Sequence, residues 1–573
     1  MRRRIREHYR KRYRLSREAA ELENLNPGAC YVSPLCFEPK AGLAVLEEMM
    51  APLAGRIRLF LRTRIVELEV AGDRIRSALA YRFEQRDVIR IEPRFVVDAT
   101  ELGDLLPLAG VPYVVGSEAK KDTGEPHAPE APNPACVQSF TYPFAIEHRP
   151  GESHRIAKPP DYEKHRDGQP FTLRLYYPVE YSWKGHVQYR MFGEDPPVPN
   201  NMSPGPFFPW RRLLAKKNFE DERVSSDVAL INWPTQDYRS QSVLDRTPLE
   251  QASILQEAKR VSLAFLYWLQ TDLARDDGKG NGFPELKLRP DVMDTADGLS
   301  KTPYFRESRR IRGRGRVVER DIVQEYQQGA RARWFPDSIG TAFYMVDIHP
   351  CGSGERGRMM MPRPFQIPLA ALIPQRVSNL LAAAKNIGVT HITNGSYRLH
   401  PVEWNVGEAV ATVTALALAG GRMPEARAVQ LDLAGAGVPL VWFDDLPVDH
   451  PAFAAIQLAA VRGMYPLSNS DLHAAPEAMV TRGEAAHALA VYYGIDLSKP
   501  AEGRIDVPPE HPQGRAIEAS LAQGWMRVDH RNWFHPDIPF YLSDLENSRL
   551  PGAAPDWRLK RSGQCRDASW LKL

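Results

Sequence analysis

The stretch RFVVDATELGDLLPLAG, residues 94–110, decides the fold class. An apolar run, FVV, ends at Asp98 and is followed by small and polar residues, which is typical of a buried strand that enters a ligand loop. Small residues in such a turn let a ligand approach the backbone closely. The pattern predicts an α/β nucleotide-binding unit, with an ordinary strand-to-loop turn as the alternative.

A second stretch of this kind lies far along the chain. NLLAAAKNIGVTH, residues 379–391, predicts a buried strand and a polar turn, and HPVEWNVGEAVATVTALA, residues 400–417, predicts a helix that begins near Val406 and ends at Gly420 and Gly421. Backbone N–H groups at a helix start favour a phosphate or a flavin carbonyl. The alternative is a core strand and a core helix joined by a long loop.

Composition excludes several classes of protein. The net charge of +3 implies no bulk attraction to nucleic acid. No run of about 20 apolar residues is present, so we expect no membrane span. The five cysteines form no C-x-x-C pair, so neither a zinc ribbon nor a ferredoxin-type cluster is supported, and we predict no metal site. The basic N-terminus, MRRRIREHYRKRYR, is compatible with a transit peptide, a nucleic-acid arm or the basic face of a helix.

The 573 residues suggest roughly three or four domains. Apolar periodicity predicts helices and strands before residue 98 and one long helix near residues 248–274. The region from about Val111 to Gly340, which is rich in Pro, Trp and Tyr, suits a substrate domain of strands and long loops. The predicted helices are 1–22 and 41–53, and the predicted strands are 57–70, 75–83 and 89–98.

Several segments, in order and spread over residues 26–420, carry a family resemblance. They are CYVSPLCFEP, FVVDATELGD, YVVGSEAKKDTGEPHA, INWPTQDY, TADGLSKTPYFRESRRIRG, YMVDIHP and FQIPLAALIPQRVSNLLAAAKNIGVTHITNGSYRLHPVEWNVGEA. With them the chain resembles bacterial FAD-dependent oxidoreductases, distantly similar to the flavin-containing subunit of heterodisulfide reductase. The resemblance implies an α/β, Rossmann-like FAD-binding domain in two parts, residues 1–110 and 341–427, with an inserted α+β substrate domain, residues 111–340.

The resemblance also implies which residues contact the cofactor. They lie in the first strand and turn, in the loop near the flavin and at the predicted helix start: Asp98, Ala99, Thr100, Gly103, Asp104, Asn386, Ile387, Gly388, Gly407, Glu408 and Ala409. Many relatives have Gly where this chain has Glu101 and Ala384, and both substitutions add bulk at sites of close approach.

The family's glycine fingerprint is not found. No G-x-G-x-x-G precedes residue 94, and Gly313-Arg-Gly315 lies in an Arg-rich stretch that does not substitute for it. We therefore expect an N-terminally truncated chain that lacks most of the ADP-binding half and binds FAD weakly or not at all.

Candidates for catalysis lie in the segments that flank the flavin loop. Histidine suits proton transfer near neutral pH, and arginine suits a carboxylate or an anionic flavin. Hydrogen-bonded structural roles and ion pairing are the alternatives, and Cys36 is either a redox thiol or a buried structural residue. The candidates are His349, His391, Arg398, His400 and Arg309, which precedes Arg310.

A repeat occupies the C-terminal region. DLPVDHPAFAAIQLAAVRGM, from Asp445, aligns with DVPPEHPQGRAIEASLAQGW, from Asp506, at an offset of 61. The repeat resembles the S-layer homology module, and Thr481, Arg482 and Glu484 match its TRAE element. We predict a mainly helical module over residues 440–573 that either binds cell-wall polysaccharide, through an arginine at that element, or is a degenerate packing unit.

These observations favour an FAD-dependent oxidoreductase that transfers hydride from a small-molecule or sugar-like substrate to flavin. A non-enzymatic envelope protein that binds polysaccharide and keeps a relict flavin fold is the first alternative. A carbohydrate lyase is the second, because aromatic residues in the central region suit sugar stacking. The protein is cytoplasmic by default, or exported if the repeats function and a signal was lost.

Overall fold

The protein, seen in a computed structural model, is described over residues 1–177, 185–193, 205–354, 357–465, 467–468 and 470–545. Part of PPVPNNMSPGPFFPW (196–210) and the end of the predicted C-terminal module, 546–573, lie outside these ranges. The first of two large hydrophobic cores draws on residues 68–128 and 311–461, and the second on residues 140–299.

The first 110 residues form a helical cap and a three-stranded antiparallel sheet. α1 buries Ile5 and Tyr9 against α3 and turns its arginines to solvent, so the basic N-terminus is one face of a packed helix. The sheet has the strand order β1-β2-β3. The elements are α1 (Arg2–Arg12), α2 (Arg17–Glu21), α3 (Pro39–Met50), β1 (Thr63–Ala71), β2 (Arg74–Arg82), β3 (Asp87–Ile91), β4 (Val96–Asp98) and α4 (Leu105–Leu108).

Two predictions for this region are wrong. The predicted strand 89–98 is two strands, because Pro93 has no N–H to continue a ladder; β3 pairs with β2, and β4 belongs to another sheet. The predicted helix 1–22 breaks after Arg12, and Ser16 caps a second short helix by accepting a hydrogen bond from the Ala19 N–H.

The central region builds the second core from a four-stranded sheet and one long helix. The sheet has the order β11-β6-β10-β9. α8 starts at a capping box in which Thr247 and Glu250 satisfy each other's backbone N–H groups, with Pro248 in the first turn. The elements are β5 (Tyr113–Val114), α5 (Lys120–Thr123), β6 (Phe144–His148), α6 (Tyr162–Gly168), β7 (Arg174–Tyr177), β8 (Gly185–Gln188), α7 (Phe207–Trp210), β9 (Arg212–Leu214), β10 (Val228–Ile231), α8 (Pro248–Thr271), β11 (Leu286–Leu288), α9 (Pro290–Met293), β12 (Arg310–Ile311) and α10 (Glu319–Ile322).

The chain then returns to the first core. β17 pairs with β4 in parallel, so the two strands found in the sequence end at the same edge. Asn379 joins this pair to the first sheet: its side chain accepts from the Ile75 N–H at 2.9 Å and donates to the Ile75 carbonyl at 3.0 Å. The elements are β13 (Ser338–Ala342), β14 (Val346–Ile348), β15 (Arg358–Met360), β16 (Phe365–Pro368), β17 (Leu380–Ala382), α11 (His391–Tyr397), α12 (His400–Gly420) and α13 (Ala426–Gly435).

The helix α12 begins earlier than predicted. It starts at His400 rather than near Val406, because Pro401 fits the first turn of a helix, where its missing N–H is not needed. Its predicted end is confirmed: Gly421 has φ +70°, the left-handed conformation that closes a helix.

Three α-helices follow among the residues described up to 545, and two of them are related by the sequence offset of the repeat. α14 (Phe453–Val461) and α16 (Gly514–Ala522) flank α15 (Arg482–Tyr492) in the sequence. Asp445 accepts from the Ala474 N–H, and at the equivalent positions Asp506 accepts from the His535 N–H. α14 contributes to the first core, whereas α15 and α16 enclose a small core of their own.

In the described part of the chain, no helix combines the length and apolar character that a bilayer crossing requires.

Candidate functional site

The candidate site is a largely buried cluster of charged side chains where four segments of the chain meet, and we call it the crevice. Residues 233–238 and 302–307 come from around the second core, and residues 345–351 and 396–401 come from the first. β14 ends directly before His349, and α11 ends directly before Arg398, so regular elements position both side chains.

His349 lies between two carboxylates. Its Nδ1 is 2.5 Å from an Asp237 oxygen, its Nε2 is 3.4 Å from an Asp347 oxygen, and its backbone N–H donates to Gln138. The imidazole is 9% exposed. A histidine held at both ring nitrogens keeps one orientation and can take up a proton that either carboxylate then stabilises.

Asp237 is the buried anchor of this arrangement. Burial alone would raise its pKa, but the charges of Arg306 and His349 outweigh burial and lower the pKa to about 2. Arg306 reaches an Asp237 oxygen at 3.0 Å, and the Thr141 hydroxyl donates to the same carboxylate. Asp237 is therefore an anion at any physiological pH.

Arg398 fixes the second carboxylate. One terminal nitrogen donates to the Asp347 carboxylate at 2.9 Å, and the other donates to the Tyr304 hydroxyl at 2.8 Å. Burial would raise the pKa of Asp347, but His349 and Arg398 hold it below the ordinary value. The Tyr344 hydroxyl lies 3.2 Å from the same carboxylate.

A disulfide holds the histidine loop in place. Cys351, two residues after His349, is bonded to Cys136 across a sequence separation of 215. Gln138, two residues from Cys136, accepts from the His349 N–H. Cys36 is bonded to Cys30, so the interpretation of Cys36 as a redox thiol is not supported.

Lys385 marks the other end of the crevice. Its side chain is fully buried, and its Nζ lies 2.5 Å from Glu101 and 3.1 Å from Glu403. Glu101 therefore compensates a buried charge. The Tyr304 hydroxyl acts electrostatically on Lys385, and the His400 ring lies edge-on to Tyr304 at 6.3 Å. Of the predicted catalytic residues, His349, Arg398 and His400 thus share one crevice.

His391 belongs to a separate buried cluster. Its Nδ1 is 2.9 Å from Glu307, which also pairs with Arg310. Burial would raise the pKa of Glu307, but His391 and Arg310 lower it to about 2. The cluster adjoins a cavity of about 190 Å³, which Glu118, Glu125 and His391 help to line.

Arg309 has a positioning role within the chain. It donates to the Leu102 carbonyl and pairs with Asp104 and Asp245. These contacts hold the turn after β4, and the described contacts of Arg309 do not include the His349 group.

The residues predicted to contact a cofactor lie at the joined ends of β4 and β17. Asp98 accepts from Thr100 and from the Leu105 N–H, and Asn386 donates to the Asp98 carbonyl at 2.9 Å. Ala99 and Glu101 are exposed at this edge. Asp98 and Asn386 thus shape the turn, and Ala99 and Glu101 are open to an incoming ligand.

Glycines in these loops meet protein backbone. A Cβ on Gly388 would lie 2.5 Å from the Gly315 carbonyl oxygen, and one on Gly103, where φ is +64°, would lie 3.0 Å from the Arg309 oxygen. Gly407 and Glu408 are exposed in the second turn of α12, and Ala409 is buried. Because α12 begins at His400, the N–H groups of these three residues do not lie at a helix start, contrary to prediction.

Arg482, the candidate wall-binding residue, makes its contacts inside the C-terminal module. Its guanidinium pairs with Asp544 at 2.8 Å, donates to the Phe534 carbonyl at 2.9 Å and lies over the Phe534 ring. These contacts give it a packing role.

The sequence reasoning missed several charged residues of the crevice, and four of them form its ion pairs. All four lie in segments that had already been recognised, and charged residues beside apolar runs in those segments are the signal that could have identified them. They are Asp237, Arg306, Asp347 and Lys385.

Comparison with known proteins identifies a family. A family model described as FAD dependent oxidoreductase matches residues 1–433, which include every segment of the crevice. No curated protein and no solved structure matches the chain. These comparisons do not support a missing N-terminal unit, a relation to heterodisulfide reductase or S-layer homology repeats.

Proposed function

The chain belongs to the family of FAD-dependent oxidoreductases, and on that premise we propose that it removes a hydride and a proton from a small organic substrate at the His349 crevice. Bound FAD, the cofactor of this family, supplies the hydride acceptor. The observation that carries the proposal is His349 between the anions Asp237 and Asp347.

The residues at the inner end of the crevice fit the ring of FAD. The N-terminus of α12 receives no side-chain cap from Leu399. Pro401 has no N–H, and the Val402 and Glu403 N–H groups donate to the Leu399 carbonyl. The His400 N–H is therefore the group of this first turn that could serve an outside acceptor. The buried Lys385 ammonium lies beside it, paired with Glu101 and Glu403. An electron-rich ring edge suits this set of donors, and Lys385, Thr100 and the start of α12 would hold it.

His349 in its neutral form is the proposed proton acceptor, and its Nε2, which lies 3.4 Å from Asp347, is the ring nitrogen that would receive the proton. A substrate hydroxyl or amine loses its proton as hydride leaves the adjacent carbon, and a histidine is suited to receive it. The resulting imidazolium lies between two ionised carboxylates, so both of its N–H groups can find an acceptor. Asp237 and Asp347 orient the ring and stabilise its charge.

The test is reduction of flavin by the full chain with added FAD, under anaerobic conditions, by a panel of alcohols, 2-hydroxy acids and amines. We expect one class to bleach the flavin absorption and His349→Gln to slow that step by roughly 100-fold or more. His154→Gln, in a loop outside the crevice, is the matched control and should react like wild type. Equal rates for wild type and His349→Gln would refute the role of His349, and absence of bleaching by every class would refute the activity.

A further inference from the structure

Arg211 is the arginine of the crevice that remains after the other charged groups have been paired with one another. Arg306 pairs with Asp237 and Arg398 pairs with Asp347. The Arg211 guanidinium makes no hydrogen bond or ion pair with any residue that the structure describes, although it interacts electrostatically with Tyr344, Tyr304 and Asp347. It is half-buried, and burial lowers its pKa.

The position of Arg211 is fixed by its backbone. It follows α7, and its carbonyl accepts from the Leu230 N–H in the sheet of the second core. Arg211 therefore belongs to the part of the chain that builds the second core, whereas Lys385 follows β17 in the first core.

Tyr304 supplies a second unused donor. Its hydroxyl accepts from Arg398, and within the described ranges its own proton has no acceptor. Burial raises the pKa of the Tyr344 phenol, so that hydroxyl also keeps its proton at neutral pH. Tyr304 and Arg211 are both half-buried, so these two donors keep some access to solvent, whereas the Tyr344 hydroxyl donates to Asp347.

Resting on the proposed function, we propose that Arg211 and the Tyr304 hydroxyl bind a carboxylate of the substrate. A guanidinium pairs with a carboxylate through two parallel hydrogen bonds, and an unpaired, partly desolvated arginine gains most from such a partner. The anion Asp347 acts on the same guanidinium, so it would repel a dianion such as phosphate more strongly than a monoanion. The substrate class is therefore a small carboxylic acid that carries its oxidisable carbon next to His349.

The test measures binding without turnover, so it does not depend on the redox activity. Benzoate and its neutral isostere benzamide are titrated into the full chain without FAD and followed by saturation-transfer NMR. We expect benzoate to bind at least about tenfold more tightly than benzamide, and Arg211→Met to remove that preference. Arg211→Lys should retain part of the preference for benzoate, because lysine keeps the positive charge but cannot form the two parallel hydrogen bonds to a carboxylate.

Matched variants show whether the effect is specific to Arg211 and Tyr304. Arg155→Met removes an exposed charge near the same core and should leave benzoate binding unchanged. Tyr304→Phe should weaken the binding of benzoate more than the binding of benzamide. Equal affinity for the two probes, an Arg211→Met variant that binds like wild type, or displacement of benzoate by an equal concentration of inorganic phosphate would overturn the proposal. If Arg211→Met does not fold, Arg211→Lys and Tyr304→Phe decide the outcome.

Discussion

Glu125 is a buried carboxyl at the cavity beside α11. Burial raises its pKa to about 7, against an ordinary 4.5, although Thr390 and the Glu319 N–H donate to it. Glu118 on the same cavity adds a like charge. The folded protein therefore holds this proton at a pH where the unfolded chain has lost it.

This raised pKa predicts a stability that falls as pH rises. Between pH 4.5 and about 7 the folded state binds more protons than the unfolded state, so the free energy of unfolding decreases through that window. At about 1.4 kcal/mol per pKa unit, the loss is roughly 3 kcal/mol. Glu125→Gln should flatten this dependence in denaturant unfolding series at several pH values.

Glu130→Gln is the control, because it replaces an exposed carboxyl that lies a few residues further along the chain. It should keep the wild-type pH dependence. A Glu125→Gln variant that loses stability with pH as steeply as wild type would contradict the assignment.

Single residues show how far sequence reasoning reached. His349 and Arg398 were predicted for catalysis from their segments, and the structure brings them together at Asp347. His391 and Arg309 were predicted on the same grounds and lie elsewhere, because a segment match fixes position along the chain and not the direction of a side chain. Arg211 could not be identified at all, since only the folded chain shows which arginine lacks a partner.

At the scale of elements, the Cys136–Cys351 disulfide joins the start of the second core to the loop after β14. A bond that closes a long loop restricts the unfolded chain more than one that closes a short loop. We expect the Cys136→Ser, Cys351→Ser double variant to lose about 2–4 kcal/mol of unfolding free energy. Chemical denaturation under non-reducing conditions measures this loss.

The second disulfide provides the comparison. Cys30 and Cys36 are separated by 6 residues, against 215 for the other pair. The Cys30→Ser, Cys36→Ser variant should therefore lose less stability and keep its rate of flavin reduction, whereas release of the His349 loop should lower that rate. Equal losses in the two variants would argue against this account.

Elements were predicted well where periodicity and caps agree. The long helix α8 was predicted from its apolar spacing, and the structure adds a capping box at its start; the end of α12 was predicted from Gly420 and Gly421. The predicted strand 89–98 and the start of α12 failed at Pro93 and Pro401, where one proline ends a strand and the other opens a helix. Neither disulfide was predicted, because spacing does not show which cysteines meet in space.

At the scale of the molecule, the described residues suit the ring of FAD better than its ADP half. Gly388 and Gly103, two of the three glycines predicted to contact the cofactor, lie against protein backbone, which leaves no room for a pyrophosphate at these two positions. We therefore expect FAD, FMN and riboflavin to bind with dissociation constants within about tenfold of one another, a difference of at most about 1.4 kcal/mol. Quenching of flavin fluorescence measures all three.

Lys385→Met is the matched variant for this series. Because Lys385 lies at the end of the site proposed for the flavin ring, its loss should raise the dissociation constants of all three flavins by a similar factor. A preference for FAD over riboflavin of about a hundredfold or more would show that the ADP half has its own contacts.

The overall arrangement could be predicted only in outline. The α/β character and the pairing of two distant stretches at one edge followed from the residues around Asp98 and Asn386. The internal packing of Arg482 could not be predicted. An arginine in a motif has the same sequence context whether it binds an external polysaccharide or donates to a backbone carbonyl of its own chain.

The contact between Asn379 and Ile75 spans 304 residues, and this separation has a consequence for synthesis. A ribosome adds roughly 10 residues per second, so the first sheet and β4 emerge about half a minute before Asn379 and the strand β17 exist. During that interval β4 has an unpaired edge, the kind of nascent surface that chaperones bind. The completed first core is thus a late event in biogenesis, while the second core, contained within residues 140–299, is free to assemble first.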